Sequence, residues 1–484
     1  MQIGDIKSIK NLAKFAWDSP TITTWGNFFF ASIKGITILP LLLNRFNNQE
    51  VAVWLLFSSV IIFSNIFDFG FHATFSRVVS YVMGGATSLE GFRDRAKQEN
   101  LKKTNWVLME AIYGTMGFIF AIVGLIALIL LATLGSLSVA ETISSSQNQP
   151  DLWAAWAYLV LSLSIFIYGR KYGTALHGMN YVALVNRWNM LFSLLGIIFG
   201  ILAIFLFNSI LYLVIVLQTF SILSILRDRY LLKSKVQDTR FKQFKSFKWD
   251  GGVIKSVWAP SWRTAIGMVA SSGVVEITGI IYAQVANAEN LVSYLLALRI
   301  IGLINGVARA PFYSKLPQYA KLRAEGKISE LATRANLGIR FSLYIFILGT
   351  FLVGILFEPL LVLINANAQF VPMGMWILIS SIWFLERHHA MHAQVYGTTN
   401  HIPFYLPITI SGTITILLSL VLLKYIDYWA FPLAQGIANL LINNWWNVKI
   451  SLKSLDVVPI RFLTNSFIYP ALVFIILQLL LTVI

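Results

Sequence analysis

Five of the ionisable side chains inside apolar stretches long enough to cross a bilayer, Lys34, Asp68, Arg263, Glu276 and Arg299, are the first candidates to do chemistry. Lys34 is fourteenth in a stretch of 23 residues (21 to 43), and Arg299 is ninth in a stretch of 21 (291 to 311), so both lie near the middle. An ionised group at a bilayer centre costs at least about 2.5 to 3.5 kcal/mol, so it needs water, a partner or a ligand. Asn27 stands one heptad before Lys34, on roughly the same helix face. Two readings stay open for Lys34: a structural or snorkelling charge, or a cation lining an aqueous cavity. Arg299 leaves the same pair open, because Glu276 on the neighbouring span could neutralise it. Arg263 follows Ala259, Pro260, Ser261 and Trp262, one turn inside its span, and reads equally as an interfacial snorkeller or a substrate contact. A deep carboxylate such as Glu276 either binds a coupling cation or proton, or sits in a static pair with Arg299 or Lys34. Asp68 shares a face with Ser58 near the inner end of its span, where ion coupling and a helix-end role are both open.

A second cluster, Glu386, Arg387, His388, His389 and His392, closes the tenth span. His388 and His392 are spaced i, i+4 like metal ligands, yet no third ligand stands at a persuasive spacing, so no metal site is expected. Solvated polar packing at the cytoplasmic interface is the favoured reading, with a proton relay behind it. Arg309, Arg340 and Glu358 lie at span ends and read as boundary residues. There is no glycine-rich phosphate loop, no nucleophile elbow and no pair of catalytic carboxylates. The expectation is therefore a chain that is not an enzyme and carries no cofactor. A membrane acyltransferase or glycosyltransferase using His388, His389 or His392 as a base is the alternative from another class.

The elements that must position these groups follow from composition. Of the 484 residues, 57% are hydrophobic and 12% charged, about half the charged fraction of a soluble domain. Long continuous apolar runs point to an all-α polytopic integral membrane protein and exclude an outer-membrane barrel, whose strands alternate. Thirteen spans are predicted, at 21 to 43, 51 to 72, 105 to 134, 152 to 170, 188 to 208, 209 to 226, 258 to 285, 291 to 311, 337 to 358, 371 to 394, 403 to 423, 429 to 447 and 465 to 484. With residue 1 inside, 29 of the 37 Lys and Arg fall inside, two outside (Arg45 and Lys424) and six within spans, which predicts a cytoplasmic N-terminus. The net charge of +16 is thus a topology signal, and no nucleic-acid partner is expected. Residues 1 to 20 lack the continuous apolar core of a cleavable signal peptide.

Arg227 to Lys255 interleaves nine basic residues with Phe241, Phe244, Phe247 and Trp249, a pattern suited to anionic membrane lipids. This segment separates six spans from seven. The organisation predicted is a six-helix lobe over 1–226, a basic cytoplasmic linker over 227–257, a second six-helix lobe over 258–450 and an extra C-terminal helix over 451–484. Residues 20 to 65 align without gaps on 260 to 305, placing Pro20 on Pro260, Asn47 on Asn287 and Leu55-Leu56 on Leu295-Leu296. Both halves start on the same side, as parallel repeats do. The inside loops 73 to 104 and 312 to 336 read as amphipathic surface helices.

Asp68-Phe69-Gly70-Phe71 with Ser76-Arg77, Ala259-Pro260-Ser261-Trp262-Arg263, Tyr294 to Arg299 and Lys315-Leu316-Pro317 together resemble the polysaccharide flippases of the multidrug/oligosaccharidyl-lipid/polysaccharide (MOP) exporter superfamily, the Wzx-like proteins. The thirteenth span departs from the usual twelve or fourteen. The resemblance implies two six-helix lobes around a cavity lined by the first, second, seventh and eighth spans and opening alternately to either side. It implies a bacterial inner-membrane flippase for an undecaprenyl-diphosphate-linked oligosaccharide, such as an O-antigen or exopolysaccharide repeat unit. In that setting Lys34, Arg263, Arg299 and Asn27 bind the anionic headgroup, Glu276 and Asp68 couple an ion, and a polysaccharide polymerase and chain-length regulator are partners. A multidrug exporter of the same superfamily is the alternative within transport.

Overall fold

The computed structural model describes residues 17–83, 89, 104–236, 244, 247–269, 273–313, 315–399 and 404–483. Every regular element among them is helical. In chain order these are α1 (Pro20–Arg45), α2 (Asn48–Ser64), α3 (Phe71–Met83), α4 (Trp106–Leu130), α5 (Ser136–Ser144), α6 (Gln149–Gly178), α7 (Val182–Phe207), α8 (Ile210–Lys235) and α9 (Gly251–Met268). There follow α10 (Val274–Tyr282), α11 (Ala288–Tyr313), α12 (Leu316–Ala324), α13 (Ile328–Leu363), α14 (Met373–Gly397), α15 (Tyr405–Ile426), α16 (Ala430–Ala438), α17 (Asn444–Leu455), α18 (Pro459–Leu463) and α19 (Tyr469–Leu481). Counted with their π and 3-10 extensions, nine helices among the described residues are long and apolar enough to cross a membrane. One of the nine, Tyr405–Leu455, runs 51 residues, about 75 Å at 1.5 Å per residue, more than twice the hydrocarbon thickness. Asp427, with φ of 50° and ψ of −143°, breaks it into two. The protein is a multi-pass, all-α membrane protein.

Helices stop where a small polar side chain takes up left-handed backbone. Asn180, Asn208, Asn365, Asp427 and Asp456 all have φ between 50° and 67° or, for Asn208, 45°, a region that Asn and Asp enter at less cost than other L-residues. The hairpin between α7 and α8 shows both ends of the device. Asn208 ends α7, and the Ser209 hydroxyl accepts from the Leu211 amide at 3.2 Å to start α8. Large apolar residues such as Phe205, Leu206 and Phe207 remain exposed at the end of α7, as expected of a surface solvated by lipid.

Packing divides the chain into two units: residues up to Leu42 with Val60–Ile266, and Leu43–Ser59 with Gly267–Ile484. Packing therefore groups the start of α2 with the later helices, whereas the sequence bounds follow span order. In the first unit α6 is the hub, packed by α3, α4, α7 and α8. Small residues let the backbones close up: a Cβ on Gly169 would lie 2.3 Å from Ile225, and one on Gly178 would lie 2.6 Å from the Ser76 carbonyl. In the second unit α13 packs on α11, α14 and α19, and α14 packs on α17.

The predicted surface helices are partly visible. α3 buries Phe71, Phe75, Val78, Val79 and Val82, while 84–88 and 90–103 lie outside the described residues. α12 is anchored by Tyr319, whose hydroxyl donates to the Arg334 carbonyl at 3.2 Å. Burial pushes that phenol up to about 12, against the pull of the Arg334 guanidinium. Of the basic linker, 237–243 and 245–246, with Phe241 among them, also lie outside. Its end folds onto the first unit: Phe247 stacks on Tyr168 at 6.2 Å, Trp249 meets Phe118 edge-on at 5.1 Å, and the Lys248 carbonyl accepts from Thr115.

Candidate functional site

The first unit holds Lys34, Asn27, Asp68 and Arg263. Lys34 and Asn27 are half-buried on α1, seven residues apart, and Lys34 has no carboxylate at ion-pairing distance among the described residues. Arg263 on α9 lies 5.6 Å from the Trp262 ring centroid, and its buried Nε–H has no acceptor among the described residues. It too lacks a carboxylate partner there. Asp68 is different: its carboxylate is 3.6 Å from Arg170 of α6 and accepts from the His72 amide at 2.9 Å, capping α3. The helix-end role is thus present, joined by an ion pair that sequence reading missed because Arg170 stood at a span boundary.

The two motif segments Asp68–Phe71 and Ala259–Arg263 meet in this unit. Phe69 and Gly70 are successive left-handed residues, with φ of 48° and 69°. For Phe69 that backbone costs about 1–2 kcal/mol. Gly70 is required on two counts: its φ, and the approach of α9, since a Cβ would lie 2.6 Å from Thr264 Cβ and 3.0 Å from the Ser261 carbonyl.

The second unit brings Arg299 and Glu276 together. The guanidinium reaches both carboxylate oxygens, NH1 to Oε1 at 3.2 Å and NH2 to Oε2 at 3.0 Å, a bidentate pair with side chains 16% and 11% exposed. Arg299 also donates to the Ser59 hydroxyl and, at 3.5 Å, to the Leu55 carbonyl of α2. Ser59 is the position that the 240-residue repeat register sets opposite Arg299. The static pairing was one of the two sequence readings for both residues, and this is its geometry.

The histidine cluster is buried, which corrects the expectation of solvated packing at an interface. His388, His389 and His392 are each at most 5% exposed. His388 and His392 pack edge-on at 4.7 Å, with Phe467 and Phe462 against them. The His389 ring bonds Glu386 at 3.1 Å and Asn447 at 3.3 Å, and Asn439 donates to the same carboxylate at 2.7 Å. Asn439, Asn443, Asn447 and Ser451 recur every fourth residue from a π turn through α17, forming a buried polar stripe of three amides and a hydroxyl. That spacing was legible in the sequence. Its signal was an amide recurring where an apolar helix face was expected.

The chain matches no protein-family model, and no curated protein matches it either. Solved structures do. An inward-facing multidrug resistance MATE family transporter of the MOP superfamily aligns with a TM-score of 0.63 at 12% identity, over 88% of this chain and 95% of that one. The fold is that of MOP transporters. The lipid II flippase MurJ, in an inward closed conformation, aligns with a TM-score of 0.63 at 14% identity over 96% and 97%. A MOP superfamily transporter from Pyrococcus furiosus, described as having a binding pocket of reverse polarity that suggests a different function, aligns at 0.57 and 14% over 92% and 98%.

Proposed function

We propose that the chain is a bacterial inner-membrane transporter, not an enzyme, that moves an undecaprenyl-diphosphate-linked oligosaccharide from the cytoplasmic to the periplasmic leaflet by alternating access. The observation that carries the substrate class is a charge balance. Glu276 neutralises Arg299 and Asp68 neutralises Arg170, whereas Lys34 and Arg263 are among the cations without a carboxylate at ion-pairing distance among the described residues. Such a balance favours an anionic headgroup, held by charge-assisted hydrogen bonds. Asn27 adds a neutral amide on the face of Lys34. The N-terminus is assigned to the cytoplasm by the distribution of Lys and Arg.

The second reading, a multidrug exporter, has its own support, because several of the solved structures sharing the fold are described as multidrug transporters, the MATE transporter DinF-BH among them. On fold alone it is the better backed of the two. Charge separates them: an exporter of cationic drugs is served by unpaired carboxylates, and here Glu276 and Asp68 are each paired with an arginine. The lipid II flippase and the reverse-polarity transporter show that the fold is not restricted to drug exporters. Ion coupling through Glu276 or Asp68 belongs to the proposal in one form, a cation or proton displacing Arg299 or Arg170.

The test is deletion of the gene in its host, followed by quantification of the complete diphosphate-linked oligosaccharide by leaflet. Accumulation on the cytoplasmic leaflet, cured by wild type but not by Lys34→Ala, supports the flippase. Accumulation of an incomplete unit makes the protein an enzyme, and an unchanged lipid pool with raised sensitivity to cationic dyes makes it a drug exporter.

A further inference from the structure

Along α11 the residues Arg299, Gly302, Gly306, Arg309 and Tyr313 are spaced 3, 4, 3 and 4 apart, so they form one stripe of the helix face. A Cβ built on Gly302 or on Gly306 would have nothing within 4 Å. The backbone between the two arginines therefore borders open space, over about 15 Å of helix at 1.5 Å per residue. Beside the Arg309 end of the stripe stands Arg387 of α14, 4% exposed. Its NH1 donates to the Asn305 side-chain oxygen at 3.0 Å and approaches the Asn305 carbonyl at 3.4 Å, and its guanidinium lies 5.5 Å from the Tyr313 ring centroid. The Nε–H is buried with no acceptor among the described residues. Glu386 is next in sequence, yet its carboxylate is turned to His389 and Asn439 and forms no ion pair with Arg387. Arg309, of the same sign, and Glu386, of the opposite sign, are both within electrostatic reach of Arg387.

A buried arginine is ordinarily met by a carboxylate, because an unpaired charge and an unbonded N–H are both costly in a low-dielectric interior. Here the Arg309 guanidinium lies within electrostatic reach of Arg387 at one end of an open glycine stripe, and the oxygens at hydrogen-bond distance from Arg387 are the neutral ones of Asn305. We propose that Arg387, Asn305 and Arg309 form a second oxyanion site, taking a phosphate or diphosphate group, from which the group passes along the Gly302–Gly306 stripe towards Arg299. The inference rests on the anionic-substrate reading above and adds Arg309 from a span end, Arg387 from the histidine cluster, and Asn305. Arginine suits the role, since its planar fork meets phosphate oxygens two at a time while remaining charged.

Asn305→Asp tests it. The new carboxylate keeps the bond to Arg387 and makes it an ion pair, so the contact between α11 and α14 survives while the net charge of the two-arginine site falls from +2 to +1. Binding to the full-length, detergent-purified chain is measured by calorimetry with two probes, inorganic pyrophosphate and geranylgeranyl diphosphate, alongside thermal melting. The expected result is at least a tenfold loss of affinity in Asn305→Asp and in Arg309→Gln, with melting of Asn305→Asp unchanged or higher. Loss for both probes identifies general oxyanion recognition, and loss for the lipid probe alone identifies a headgroup site. Wild-type affinity in Asn305→Asp for both probes overturns the proposal and leaves Arg387 as a clasp between two helices. If Lys34→Ala then still loses binding, the anionic-substrate reading stands without this site. If the wild-type chain binds neither probe, that reading falls and the second site with it.

Discussion

Replacing Glu276 with Gln removes the charge that faces Arg299 while preserving the side chain's shape. The pair is bidentate at 3.2 and 3.0 Å, and each side chain is less than one-fifth exposed. Breaking a buried pair from one side costs about 3–5 kcal/mol, because the remaining charge is left uncompensated. Arg299 keeps its bonds to Ser59 and the Leu55 carbonyl, and Gln can still accept one bond, so the expected cost is about 2–3 kcal/mol. A loss of about 2 kcal/mol lowers the folded-to-unfolded ratio roughly thirtyfold. The assay is reversible SDS unfolding of the purified chain in mixed micelles, for Glu276→Gln, Arg299→Gln and the double variant. The double variant carries no orphaned charge and should cost less than the sum of the singles by about 1–3 kcal/mol. Strict additivity, within about 0.5 kcal/mol, would refute the pair as described.

Three further outcomes follow from the packing. Gly70→Ala should destabilise by about 2–4 kcal/mol in the same titration, combining a left-handed Ala with a Cβ 2.6 Å from Thr264; a cost under about 0.5 kcal/mol would remove the argument for close packing of the two motifs. Asp68→Ala should cost more than Arg170→Gln, because it loses the cap on the His72 amide as well as the ion pair, and the cap alone contributes about 1 kcal/mol; equal costs would mean that the cap contributes nothing. Gly169→Val should separate α6 from α8 and cost about 1–3 kcal/mol, read by melting of the purified chain, with no effect expected from the same change at open Gly397.

The membrane class was legible because apolar runs as long as the bilayer is thick cannot be covered by so few charged residues in water, and the deep charges were legible because each interrupts such a run. Pairing was only half legible. Arg299 and Glu276 lie 23 residues apart on adjacent spans, so their meeting could be named as an alternative, but Ser59 is 240 residues away and nothing local announces it. The inward pairing of Arg170 and Arg387 was not legible for one reason. Both stand near span ends, where a cation is expected to reach for headgroups, and only the packing of α6 and α14 shows that they are drawn inward instead. Backbone strain at Phe69 was invisible as well, since an aromatic residue carries no signal for left-handed geometry, although the following Gly70 does.

The central claim is tested most directly in proteoliposomes containing only this chain and a polyprenyl-diphosphate oligosaccharide placed in one leaflet, with lectin access to the sugar followed over time. The account predicts that wild type equilibrates the sugar between leaflets, that Lys34→Ala combined with Arg263→Ala abolishes the movement, and that a cationic dye in the same vesicles is not carried. Movement of the dye with none of the diphosphate-linked sugar would contradict the account and assign the chain to drug export.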